Sequence, residues 1–218
     1  MRPSPRAQRA LLGMVALVVI SISTPVAGSA TAQTDSQDQP TATVAAPSTH
    51  RERLNVRIGQ TAAVTGSALA GRTVVLERRS AGRWRALDHA RVGPTGRYHL
   101  RYRAKKAASA QVRVRVAGTT AARRARMNVY RRANASWYGP GLYGNHLACG
   151  GRLSAATRGV AHKTLPCGTR VTLRKGDRIV RTRVVDRGPF AGDREFDLTA
   201  AVKQSLGFGS TGSVDVSL

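Results

Sequence analysis

The feature that most constrains this chain is a two-residue alternation of apolar and charged side chains, repeated in short runs. Val112, Val114 and Val116 alternate with Arg113 and Arg115, and Leu100 and Tyr102 alternate with Arg101 and Arg103. Successive side chains of a strand point to opposite faces, so a period of two specifies one buried face and one face in water. Similar runs occupy 54–58, 62–67, 73–78, 83–87 and 126–130. They are separated by the turn-forming pieces Ala70-Gly71, Ser80-Ala81-Gly82, Gly93-Pro94-Thr95-Gly96 and Gly118-Thr119. Seven short strands over about 80 residues predict an immunoglobulin-like (Ig-like) β-sandwich across 51–132.

The outward faces are basic. The 218 residues carry 36 Lys and Arg against 11 Asp and Glu, a formal net charge of +25. Residues 51–133 hold 21 basic and three acidic side chains, +18, whereas 134–218 hold 12 and six, +6. A hydrophobic fraction of 41% excludes a wholly disordered polycation, and the charge calls for an anionic partner.

The N-terminus narrows the choice of partner. Arg2, Arg6 and Arg9 precede an uncharged apolar run over 10–22, and small residues follow to Ala30-Thr31-Ala32. This is the pattern of a secretory signal peptide, read over 1–32. The run falls short of the roughly 20 residues a bilayer span requires, so no membrane span is expected after cleavage. An exported chain meets wall polymers before nucleic acid, and a secreted, wall-associated monomer is the expectation. Residues 33–50, rich in Thr, Ala, Gln, Pro and Asp, show no apolar periodicity and read as a flexible linker. The sandwich segment contains no cluster of His, Cys or acidic residues. Its arginines either hold anionic wall polymers through salt-sensitive contacts or form a solvated basic face.

The segment 133–218 carries the specific motifs. In order they are Ala135-Ser136-Trp137-Tyr138-Gly139, Ala161-His162-Lys163-Thr164-Leu165-Pro166 followed by Gly168-Thr169, Asp186-Arg187-Gly188-Pro189-Phe190, and Asp197-Leu198-Thr199. Strands are predicted over 170–174, 179–185 and 213–217. A helix is predicted over 198–206, with Gly207 at C′ and Asp197 as N-cap, the alternative for Asp197 being the next acid after Asp186. This succession of motifs resembles the rare lipoprotein A (RlpA) family of septal lytic transglycosylases. The resemblance implies a six-stranded double-psi β-barrel, which makes the whole chain all-β apart from one short helix. It also implies peptidoglycan glycan strands as substrate, with Asp186 and His162 in an open groove. Many RlpA sequences place a Glu eleven residues before that His; here the position is Gly151. Two functions therefore stand side by side: glycan cleavage, and expansin-like polysaccharide binding or wall loosening without cleavage.

The chemistry follows from the residue types. Breaking a glycosidic bond needs a proton donor for the leaving oxygen and stabilisation of an oxocarbenium-like state. A lytic transglycosylase lets the sugar's own 6-hydroxyl attack and leaves a 1,6-anhydro end, so one carboxyl group can serve as acid and then as base. Asp186 is the candidate for that role, given desolvation in the groove, and His162 is the candidate to orient it. The alternative for Asp186 is an Asx-type turn before Gly188-Pro189. Tyr138, Trp137, Tyr143 and Arg187 are the candidate substrate-binding residues, with Trp137 also readable as a core residue of the first barrel strand. Cys149 and Cys167 flank His162 and, in an exported chain, most simply form a disulfide. A zinc site from His146, Cys149, His162 and Cys167 is the alternative. No cofactor or resident metal is expected.

Overall fold

In the computed structural model, residues 43–218 are described; the leader read over 1–32 and most of the linker read over 33–50 lie outside the described residues. The alternating runs become two facing sheets. The first is antiparallel, with β3 (Thr61–Ser67) between β1 (Ser48–Arg53) and β6 (Arg97–Arg103). The second runs in the order β5 (Arg83–Arg91), β4 (Thr73–Ser80), β7 (Ala108–Val116), β8 (Ala122–Tyr138), with β2 (Asn55–Arg57) pairing in parallel on β8. Val64, Tyr98 and Leu100 from one sheet meet Val74, Leu76, Val112, Val114 and Met127 from the other in one core. The core residues are the apolar members of the alternation, and the arginines between them stay on the outer faces.

The sandwich has one strand more than the seven predicted. β1 starts at Ser48, three residues inside the stretch read as linker. Its side chains are exposed along nearly the whole length, so no apolar period marks it. Backbone pairing to β3 alone makes it a strand.

β8 is 17 residues long and belongs to both halves of the structure. Its first part pairs with β7, 131–135 pair antiparallel with β13 (Gly212–Ser217), and 135–138 pair in parallel with β12 (Phe196–Thr199). The remaining strands are β9 (Val160–His162), β10 (Arg170–Lys175) and β11 (Arg178–Asp186). The pairings β8–β12–β9–β11–β10–β13 return to β8, closing a six-stranded barrel. Val160, Leu173, Val184, Phe196, Leu198 and Val216 fill it, and Val202 and Leu206 of α1 (Ala200–Leu206) close one side.

The helix starts two residues later than predicted, and Asp197 is not its cap. Asp197 pairs with Ser136 on one side and Ala161 on the other, so sheet hydrogen bonding on both edges holds it in β12. Thr199 occupies the N-cap position without a side-chain bond. Gly207 ends the helix at φ 62°, as the sequence predicted, and its N–H reaches Gln204 O.

A seam of charge joins the two halves. Asp215, 5% exposed, accepts from Arg57 Nε at 2.8 Å and from Arg174 Nη2 at 2.7 Å. Arg174 also reaches Asn55 O at 3.2 Å and lies over the Tyr130 ring. On another part of the seam, Ser109 N–H donates to Leu218 O at 2.6 Å.

Candidate active site

Strand register assembles the cleft. Ala161 on β9 is the paired partner of Asp186 on β11 and of Asp197 on β12, and Asp197 is in turn paired with Ser136 on β8. Side chains in one row across a sheet share a face, so the two carboxyls flank a methyl group in the middle of the row. Adjacent strands lie about 4.8 Å apart, which puts the two aspartate backbones roughly 10 Å from one another. The small side chain between them leaves an open space of about 350 Å³, lined also by Tyr138, Leu142, Phe190 and Arg194.

The two carboxyls are held differently. Asp186 Oδ1 accepts two main-chain N–H bonds, from Ala148 at 2.9 Å and from Arg187 at 2.8 Å. The first of these comes from a distant loop, so Asp186 does more than close a local turn. Asp197 Oδ1 accepts from Ser136 Oγ at 2.7 Å, and Arg194 Nη1 donates to the same Ser136 oxygen at 3.1 Å. Burial pushes the Asp197 carboxyl above the usual aspartate range, and the negative charge of Asp186 adds to this. The Ser136 bond and Arg194 work in the opposite direction and do not cancel the rise.

Tyr138 reaches the same space. Its hydroxyl is buried and makes no hydrogen bond of ordinary geometry among the described residues. Burial raises its pKa, and the neighbouring Asp186 and Asp197 raise it further. Asp186 is the polar group nearest to hand for this buried hydroxyl, so Tyr138 backs the Asp186 carboxyl. Trp137, one residue earlier, points to the other side, packs against the barrel core and lies under Lys203 Nζ at 3.6 Å. Tyr143 is 41% exposed, and its hydroxyl stands over Gly139; it does not line the cleft.

His162 is 9% exposed and fully engaged behind the cleft. Its Nδ1 accepts from the N–H groups of Thr164 at 3.1 Å and Leu165 at 3.0 Å, which fixes the proton of the neutral ring on Nε2. That nitrogen faces Glu195 Oε1 at 3.5 Å, and Glu195 is paired with Arg131. The ring rests on Phe196, 4.8 Å between centroids. Desolvation lowers the His162 pKa, against an opposing pull from Glu195. Arg131 above all holds the Glu195 carboxyl below its usual range. Arg187 is likewise engaged. Its guanidinium donates to Leu165 O at 2.9 Å and contacts Cys167 Sγ at 3.3 Å, while the residue itself borders the cleft.

Cys149 and Cys167 form a disulfide, with Cα atoms 5.5 Å apart. Their sulfurs are therefore not available as zinc thiolates. The bridge ties the loop that supplies Ala148 N–H to the loop that carries Thr164 and Leu165, and so fixes surroundings of both Asp186 and His162. Gly151 lies in an exposed turn at φ 78°, where any side chain would be strained, and Arg152 turns back to Gly144 O at 2.7 Å.

Several cleft residues carry little sequence signal. Asp197 reads first as a cap and only second as an acid, Ala161 carries no chemistry of its own, Leu142 and Arg194 stand outside the motifs, and Phe190 is visible only as a motif neighbour of Asp186. Phe190 is 81% exposed at the rim, an apolar plate of the kind that packs on sugar rings.

A closed six-stranded barrel with a polar cleft at one end of β8, β9, β11 and β12 defines the C-terminal half as a double-psi β-barrel. Residues 130–218 match the family described as lytic transglycolase, and this part of the chain is an RlpA-like domain. The probable endolytic peptidoglycan transglycosylase RlpA of Synechocystis sp. is 46% identical over 87 residues, covering 38% of this chain and 27% of that protein. The endolytic peptidoglycan transglycosylase RlpA of Neisseria meningitidis serogroup A is 42% identical over 87 residues, covering 39% and 36%. That of Pseudomonas aeruginosa is 42% identical over 84 residues, covering 38% and 25%. The chain thus spans between a quarter and about a third of the length of these relatives.

Proposed function

We propose that the protein is an exported peptidoglycan lytic transglycosylase that cleaves glycan strands to 1,6-anhydro-muramyl ends. The observation that carries this is the row Asp186–Ala161–Asp197 in the floor of an open cleft. Asp197, whose carboxyl is raised by burial, donates its proton to the glycosidic oxygen as the C1–O bond breaks. The 6-hydroxyl of the same sugar then attacks C1 and gives its proton to the Asp186 carboxylate. Proton transfer from Asp186 back to Asp197, through solvent, resets the site. Tyr138 backs the Asp186 carboxyl and Phe190 packs on a ring, while His162 acts as a positioning residue behind β12. The basic leader pattern and the disulfide support an extracytoplasmic location. The basic sandwich, read as Ig-like, serves wall association.

The exposed Gly151 turn, where the family commonly has Glu, favours a second reading as a non-catalytic polysaccharide binder. Incubation with purified peptidoglycan and mass spectrometry of the released fragments separates the two. Anhydro-muramyl ends from the native protein, absent with Asp186→Asn and with Asp197→Asn, support cleavage. Binding without release by the native protein overturns it.

A further inference from the structure

Among the described residues, the two buried carboxylates outside the cleft follow one pattern. Glu77 is held by Arg113 and Arg115, and Asp215 by Arg57 and Arg174, so each carboxylate is shared by two guanidinium groups. At another part of the junction the pattern breaks. A cavity of about 370 Å³ lies between the sandwich and the barrel, lined by Arg126 of β8, Arg170 of β10, and Arg181 and Arg183 of β11. Leu218 also lines it, with its O accepting from Ser109 N–H, but no acidic side chain does, and none of the four arginines, all solvent-exposed, forms an ion pair among the described residues.

The arrangement gathers like charge on one solvent-exposed face. Arg170 and Arg183 are direct cross-strand partners, and Arg181 stands two residues along β11 on the same face. Like charges placed directly opposite one another destabilise a sheet. Their hydrogen bonds inside the protein are few: Arg183 donates to Gly168 O at 3.2 Å, and Arg126 reaches Ser109 Oγ at 3.4 Å.

We propose that this junction cavity is a binding site for a phosphate-bearing polymer, separate from the glycan cleft. A carboxylate has two oxygens in one plane and, in this protein, is saturated by two arginines. A phosphate group offers more acceptor oxygens in a tetrahedral array, which suits several arginines lining one cavity from two β-structures. The volume lies in the range of small-ligand pockets. Ser109 and Thr172 add neutral hydroxyls to the wall. Because the cavity is built from both halves, occupancy would also brace the seam between them.

The test uses the full chain, with inorganic polyphosphate as probe and polyglutamate of similar length as the carboxylate comparison, titrated calorimetrically at about 0.15 M salt. The double variant Arg170→Gln/Arg181→Gln is compared with Arg83→Gln/Arg85→Gln, which removes the same charge from exposed positions on β5. The native protein and the β5 variant are expected to bind polyphosphate within about twofold of one another, and the cavity variant at least about tenfold more weakly. Polyphosphate should raise the melting temperature of the native protein and not that of the cavity variant, which confirms that the variant is folded and reads binding independently. Equal weakening in the two variants, polyglutamate binding as tight as polyphosphate, or no binding by the native protein would each overturn the proposal.

Discussion

Replacing Asp215 by Asn tests whether the charged seam holds the two halves together. The substitution keeps the size of the side chain and removes its charge. It leaves Arg174, whose side chain is only 18% exposed, without its anion, and Arg57, 47% exposed, free to rehydrate. Removing one member of a buried ion pair costs about 3–5 kcal/mol, because the remaining charge is stranded. With one arginine able to return to water, the lower end applies, and a loss of about 3 kcal/mol is expected. For a folded unit of this size that lowers the melting temperature by roughly 6–12 °C, at about 2–4 °C per kcal/mol.

Circular dichroism melts of the native protein and Asp215→Asn at a series of pH values make the assay. Burial raises the Asp215 pKa, but Arg57 and Arg174 outweigh it, and the net folded value lies below 3.8. A depressed folded pKa gives stability that is fully present above the unfolded value and lost as pH falls through the folded one. The gap between the two proteins should therefore be constant from pH 7 to 5 and close only below the ordinary aspartate range. A melting difference under about 2 °C at pH 7, too small for a stranded buried charge, refutes the reasoning. A gap that survives undiminished at pH 2 refutes it equally.

Two further outcomes follow from the barrel. Titration of the unreduced, denatured protein should find no free thiol, and Cys149→Ser/Cys167→Ser should lose about 3 kcal/mol in urea unfolding, as expected for a closed loop of this length. His162 has a folded pKa below its unfolded 6.5, so stability should fall as pH drops from 6.5 through the folded value. That part of the pH profile should flatten in His162→Gln; an unchanged slope would show that His162 does not titrate as its burial requires.

The sandwich was largely legible because its strands carry their burial in their alternation. β3, β6 and β7 each alternate apolar and polar positions, and the pattern survives in the burial of the folded chain. β1 was hidden because nearly all of it faces solvent. β9 was hidden for the opposite reason: its three residues are all buried, so no period exists to be read. The barrel motifs single out Asp186 and Tyr138, and both line the cleft. They failed at Asp197, where an acid before an apolar helical face reads as a cap and only pairing to β8 and β9 decides otherwise. The row that joins Asp186 to Asp197 depends on register between three strands separated by long loops. Local spacing carries no information about such a row.

The uninterrupted β8 has a consequence for how this chain tolerates insertions. Between most domains an added residue is absorbed by a linker. Here the similarity to the lytic transglycolase family begins at residue 130, in the interior of a strand whose two ends serve different sheets. Because side chains alternate along a strand, one residue inserted near Arg131 would reverse the facing of everything beyond it. Either Met127 and Val129 would leave the sandwich core, or Ala133 and Ala135 would leave the barrel. Only even-numbered changes preserve both. The two halves are thus locked in phase as well as in contact, and exchanging one for a foreign module requires a splice that counts residues in pairs.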